Sequence, residues 1–329
     1  MKAVRPIGAV SAALLATALA AGCSSKTEPA GEKKDKSSFT VGYSQSNNAE
    51  PYRAQLNLQL KHFLKKYPDM KLLPIADAKQ SNATQISQVQ QFVTQKVDVL
   101  IVSPTEPAPL TAAVARACQA KIPVIVLDRT VNTDCYTSFI GGDNYDIGKK
   151  AGETAVKALP NGGDVVELRG LLSTQPQIDR DKGFRDAIKA NPKIRIVADR
   201  EAKWLKEAAT PVMQQWLTKY PKIDLVYAHN DPMALGAYLA AKGKGRDKQI
   251  KFIGIDGLAI PDGGIRAVQQ GQLYSTYVYP TGAKEAADTA YAITHGKQVS
   301  KKQVLPTAEV TPQNAPGLYQ QFDMSGKVG

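Results

Sequence analysis

The chain has 329 residues, 43% of them hydrophobic and 22% charged, enough apolar material to bury a sizeable core and too much for a disordered chain. A formal net charge of +12 invites a nucleic-acid reading, but the lysines are scattered and no helix-turn-helix or zinc-finger spacing precedes the globular part, so that partner is excluded. Three cysteines and three scattered histidines offer no metal-ligand spacing, and neither a metal nor a cofactor is expected.

Residues 1–22 carry Lys2 and Arg5, an apolar run from Ile7 to Ala21, and Gly22, which together read as an export signal. The run falls short of the roughly 20 strongly apolar residues of a membrane span, so contact with a membrane is expected only through an anchor. Leu19-Ala20-Ala21-Gly22-Cys23 resembles a bacterial lipobox, with Ala20 where such motifs usually carry Leu; it implies acylation of Cys23. Residues 23–38, rich in Lys, Ser, Gly and Pro, read as a flexible tether. Cys118 and Cys135 then remain, an even count that permits a disulfide in an oxidising compartment or leaves two isolated thiols.

From Phe39 onward, β-branched runs alternate with segments of helical period. FTVGY reads as a strand; Leu56, Leu60, Phe63, Leu64 and Tyr67 then recur at helical spacing. VDVLIV and IPVIVLD follow as further strands, nearly continuous in apolar character, as parallel strands covered on both faces are. After TSFIGGDN come DVVEL, IRIVA, IDLVYA and KFIGI, each preceding a helix, and LYSTYVYP reads as a crossing back to the first lobe. Roughly ten such strands exceed one small core. The expected fold is α/β: two doubly wound parallel-sheet lobes, 39–142 with 279–304 and 143–278 with 305–329, joined by three crossings.

Ligands of open α/β sheets bind beyond the carboxyl ends of the strands, and here those ends are polar. The first strand runs into Ser44-Gln45 and on to Arg53, VIVL into Asp128-Arg129, VYA into His229-Asn230, and FIGI into Asp256, while Arg180 follows VVEL. Carboxylates, guanidinia and an amide suit hydroxyl groups, which donate and accept at once. Each residue alone reads as well as a helix cap or a surface cation; the case rests on their coincidence. Asp128, at a strand end, is expected to contribute little to the core.

The motifs VGYSQ…R, SPTE, IPVIVLDR, GGDNYDIGKKAG, VVELRG, IDRDKGF, YAHNDPMALGAYLAA and GIDG resemble, in this order over about 39–300, the ribose/galactofuranose-type periplasmic binding proteins of bacterial ABC importers. The resemblance implies the type I periplasmic binding fold, a small sugar or polyol as ligand, an importer permease as partner, and a monomer. It implies that Arg53, Asp128 and Arg129 clasp the sugar from the first lobe, and Arg180, Asn230 and Asp256 from the second. The Ser44-Gln45 pair is similar to galactofuranose binders, Trp204 matches a position that commonly stacks an aromatic ring on the sugar, and Ser103 stands where ribose binders place Asn. The two adjacent Phe residues of ribose binders are missing, which argues against ribose itself; Tyr52 is the nearest aromatic, and Tyr277 and Tyr279 rank below the other sites. His229 reads as a structural neighbour of Asn230.

No GxSxG, GxxxxGK[ST], HExxH or CxxC occurs, and arginines beside the carboxylates would depress the pKa that a glycosidase acid needs, so no enzyme is expected. Two other binding classes share this architecture: a repressor core, which would carry a DNA-binding module where the export signal stands, and a sensor that docks on a chemoreceptor or kinase.

Overall fold

The computed structural model describes residues 37–327, so the expected export signal, Cys23 and nearly all of the tether lie outside the described residues. The first lobe is built by β1 (Phe39–Gln45), α1 (Pro51–Leu64), β2 (Met70–Leu72), β3 (Ala76–Asp77), α2 (Asn82–Thr94), β4 (Val99–Ser103), α3 (Pro107–Gln119), β5 (Val124–Leu127) and β6 (Ser138–Gly142). The second follows with α4 (Asn144–Ala158), β7 (Gly163–Arg169), α5 (Gln175–Ile188), β8 (Ile194–Glu201), α6 (Lys206–Lys219), β9 (Leu225–Ala228), α7 (Asp231–Gly243), β10 (Lys251–Ile253) and α8 (Gly264–Gln269). The chain ends with β11 (Thr276–Tyr277), α9 (Ala283–Thr294), β12 (Lys302–Leu305), β13 (Glu309–Val310) and α10 (Ala315–Phe322).

The first sheet runs β12-β6-β5-β4-β1-β2, with β3 also on β1; the second runs β10-β9-β7-β8, and every pairing within the two is parallel. β4 and β5 are buried at every position, which is why VLIVS and VIVL show no polar alternation. Val89, Phe92, Leu110 and Val114 pack against Leu100, Val102 and Val126 on one face of the first sheet, while Tyr43, Leu56, Leu60 and Ala287 fill the other. In the second lobe Met213, Trp216, Ala237 and Ile265 close over Val166, Val226 and Phe252.

The chain passes between the sheets after Gly142, between Tyr277 and α9, and after Leu305. β11 and β13 pair antiparallel at this seam, and Asp256 N donates to Tyr277 O at 3.0 Å while Tyr279 N donates to Asp256 O at 2.9 Å. Cys118 and Cys135 form a disulfide with Cα atoms 6.1 Å apart, which fastens the end of α3 to the loop before β6 and resolves the alternative left open by sequence. Among the described residues no helix is long and apolar enough to cross a membrane.

Candidate functional site

Both sheets reverse their strand order beside the first strand of each lobe: β1 lies between β2 and β4, and β7 between β8 and β9. Crevices at such switch points, beyond the carboxyl ends, are where α/β sheets hold ligands. A narrow cavity of about 20 Å³ lies there, walled by Glu50, Tyr52, Arg53, Asp128, Arg129, Pro176, Arg180, Trp204, Asn230, Asp256 and Tyr279. Seven of the eight ligand-binding residues expected from sequence are in that wall; Gln45 is not.

In the first lobe, Pro51 starts α1 without needing a backbone donor, and the helix carries Arg53 inward. Its guanidinium donates to Asp128 Oδ2 at 2.6 Å, Ser103 Oγ at 2.6 Å and Gln45 Oε1 at 3.1 Å. Gln45, wholly buried, is held in turn by Asn57 at 3.1 Å and by the Tyr43 hydroxyl, so it braces Arg53 from behind the wall. Arg129 donates to Thr105 O at 3.0 Å and lies 3.8 Å from Glu50 Oε1. Asp128 also accepts the Tyr279 hydroxyl at 2.9 Å. Burial pushes the Asp128 carboxyl up, but Arg53 and Arg129 outweigh it and hold the group below the usual carboxylate range. Arg129 is lowered to about 10 by burial and by repulsion from Arg53. Asp128 therefore belongs to a buried ion-pair network, and the expectation that it matters little to the fold does not survive this geometry.

The second lobe supplies Arg180, whose Nε donates to Asn144 Oδ1 at 2.9 Å and whose NH1 donates to His229 O. Its planar head lies 4.7 Å from the Tyr279 ring centre and 5.5 Å from that of Trp204. Asn230 caps α7, accepting Met233 N at 3.1 Å, and donates to Trp204 O at 3.0 Å, so one side chain fixes both the helix and the tryptophan loop. His229 sits behind the wall, fully buried, with Nε2 3.0 Å from Glu167 Oε1 and Nδ1 accepting Gly170 N at 3.4 Å. Burial and Arg180 hold it neutral, as befits a neighbour of Asn230.

Strain and unmet polar groups gather on the cavity. Asp128, Trp204 and Asp256 have φ of 69°, 70° and 132°, a cluster of costly backbone conformations of the kind that marks functional sites. The Trp204 indole lies over Gly170, where a Cβ would meet ring atoms at 2.1 Å, so only glycine admits it. Trp204 Nε1 and Arg53 Nε are buried without a hydrogen-bond partner. The Asp256 carboxylate accepts no hydrogen bond from the described residues, and burial, reinforced by Asp231, raises its pKa well above the usual value.

Sequence reasoning did not select Glu50 or Pro176, and it named Tyr52 and Tyr279 only below the other sites. Glu50 precedes the helix-starting Pro51, and its Oε1 accepts Asn47 Nδ2 at 2.7 Å; a carboxylate next to a helix start was the available signal. Tyr279 arrives from the second crossing, whereas Tyr277 turns away to Thr154 at 2.7 Å and Lys150 O at 2.9 Å.

Known proteins share this fold. A family profile described as periplasmic binding protein domain matches residues 41–298. The chain belongs to this family. It is 34% identical over 233 residues to the ribose import binding protein RbsB of Salmonella typhimurium, covering 70% of this chain and 77% of that protein. It is 33% identical over 267 residues to the galactofuranose-binding protein YtfQ of Escherichia coli K12, covering 78% of this chain and 77% of the other. Among solved structures, the fructose binding periplasmic domain of the hybrid two component system BT1754 superposes with a TM-score of 0.83 at 37% identity, covering 86% of this chain and 94% of that one. The fold is thus the two-lobed α/β architecture of type I periplasmic binding proteins, and these relatives are named for binding.

Proposed function

We propose that the protein captures one small neutral sugar or polyol between its lobes and delivers it to an ABC importer. The observation that carries this reading is a pair of buried N–H groups without partners on one cavity, Trp204 Nε1 and Arg53 Nε, beside the Asp256 carboxylate and an indole face. Buried polar atoms left unpaired are costly, and a polyhydroxylated ligand can supply both an acceptor for the N–H groups and a donor for the carboxylate. Arg53, Asp128, Arg129, Arg180, Trp204, Asn230 and Asp256 are the contacts assigned to it, joined by Glu50 and Tyr279. Gln45 acts through Arg53.

Closure about the three crossings would bring both walls onto the sugar, so that a permease can read the closed outline. The export signal and the lipobox-like segment ending at Cys23 support secretion and anchoring, and the Cys118–Cys135 disulfide fits an oxidising compartment. We assign no catalytic step and take the unit to be a monomer. A thermal-shift panel of D-ribose, D-fructose, D-galactose, L-arabinose, myo-inositol, xylitol and D-galacturonate tests the ligand class. Stabilisation by one neutral member is expected; stabilisation by the acid alone overturns it.

A second reading has specific support, since BT1754 is a two component system and its periplasmic domain is the 37% identical neighbour. A sugar-dependent pull-down with a purified importer permease, set against one with a sensor-kinase ectodomain, separates the two.

A further inference from the structure

Asp231 opens α7 and is buried, yet it is absent from the cavity wall. Two donors converge on its carboxylate: Gly257 N at 2.8 Å on Oδ2 and the Thr276 hydroxyl at 2.5 Å on Oδ1. Its own backbone N donates to Ile255 O at 2.6 Å. Room for it is made by two glycines, since a Cβ at Gly264 would lie 1.9 Å from Oδ2 and one at Gly254 would lie 2.2 Å from Oδ1. The side chain is thus built into a socket formed by the 254–257 turn, Gly264 and Thr276, and the first of these carries the residue that lines the cavity.

Asp256 stands at φ 132° and Gly257 at φ 56°. Two successive residues with positive φ do not hold an L-aspartate in place unless the surroundings over-determine the turn. Asp231 grips that turn from inside through Gly257 N, and through Thr276 it ties the turn to β11, whose end holds Asp256 N. We propose that Asp231 is a positioning residue of the binding cleft: its carboxylate locks the 255–257 turn so that Asp256 points at the ligand. The proposal rests on the reading that Asp256 contacts the sugar.

The full-length protein tests it with the tightest of D-ribose, D-fructose, D-galactose, L-arabinose and myo-inositol as probe, by calorimetry. Asp231→Ala removes both acceptors and should weaken the probe roughly tenfold or more, the loss of one to two hydrogen bonds' worth of ordering. Asp231→Asn can still accept Gly257 N while its amide faces the Thr276 hydroxyl, which can reverse, so it should restore affinity to within about threefold. Because Asn230 is the chain neighbour, a double-mutant cycle decides the route: Asp231→Ala should add almost nothing in an Asp256→Ala background and its full effect in an Asn230→Ala background. Should Asp231→Ala prove unfoldable, Thr276→Val, which deletes one of the two donors, should give a smaller loss with the same pattern.

Full additivity with Asp256→Ala, or an unchanged affinity in Asp231→Ala, overturns the proposal. If Asp256→Ala binds the probe as the parent does, it is the contact role of Asp256 that fails. A crystal structure of Asp231→Ala then judges the turn by itself, and Asp256 retaining its φ near 132° would refute the locking role.

Discussion

Replacing Asp128 by Asn isolates the charge of the network at nearly constant shape. Asp128 and Arg53 are 5% and 1% exposed, and among the described residues Asp128 is the one carboxylate within 3 Å of the Arg53 guanidinium. Breaking a buried pair by neutralising one partner costs about 3–5 kcal/mol. Here Ser103 and Gln45 stay bonded to the guanidinium and Glu50 stands 3.9 Å from Nε, which argues for the lower end, about 3 kcal/mol. For a protein of this size that is a fall in Tm of about 6–12 °C. Thermal unfolding by circular dichroism at pH 7 without sugar measures it. Asp128 is held below its ordinary pKa, so its share of stability is present above about pH 4 and is lost as pH falls through the folded value; the gap between parent and variant should narrow there. Arg53→Met combined with Asp128→Asn should be less destabilised than Asp128→Asn alone, since no unpaired charge remains. A variant within 2 °C of the parent, or two strictly additive changes, would refute the reasoning.

Three further outcomes follow from the geometry. Burial and Asp231 raise the pKa of Asp256, whereas hydroxyl donors favour its ionised form; sugar affinity should therefore climb as pH rises through its raised range, with proton release seen by calorimetry in buffers of differing ionisation enthalpy, and Asp256→Asn should flatten the profile. Gly170→Ala places a Cβ 2.1 Å from the Trp204 ring, so the indole must swing toward the cavity; affinity should fall at least tenfold, with an overpacking cost of about 1–3 kcal/mol in chemical denaturation. Cys118→Ser with Cys135→Ser opens a link across 17 residues and should cost about 3 kcal/mol in the same assay, leaving sugar affinity unchanged because neither residue adjoins the cavity.

The parts of the fold legible in sequence are those set by a repeated local pattern. Uniformly apolar VLIV and VIVL could only be central parallel strands, and helices follow wherever the 3.6-residue period replaces them. β2 and β3, of three and two residues, carry no period and were not visible. The same divide runs through the site. Asp128, Asn230 and Asp256 follow strand ends directly, so topology delivers them to the cavity. Gln45 also ends a strand, but burial of its side chain behind Arg53 depends on which face the last residue of β1 presents, a matter of packing. Tyr279 reaches Asp128 across 151 residues, and a contact of that separation leaves no mark on local sequence.

The charges on the cavity constrain what belongs there. Arg53, Arg129 and Arg180 stand among Glu50, Asp128 and Asp256, and six of the guanidinium N–H groups are committed to protein acceptors: Asp128, Ser103, Gln45, Thr105, Asn144 and the His229 carbonyl. A phosphate or carboxylate ligand would bring its charge beside the buried Glu50 and Asp128 carboxylates and would have to shed its water to enter. A neutral ligand avoids that cost, and the buried N–H donors without partners, Trp204 Nε1 and Arg53 Nε, are ones a row of hydroxyls can satisfy without disturbing the network. The proposal of a neutral ligand thus draws on how the site's carboxylates and guanidinia already pair with one another, independent of which sugar it is.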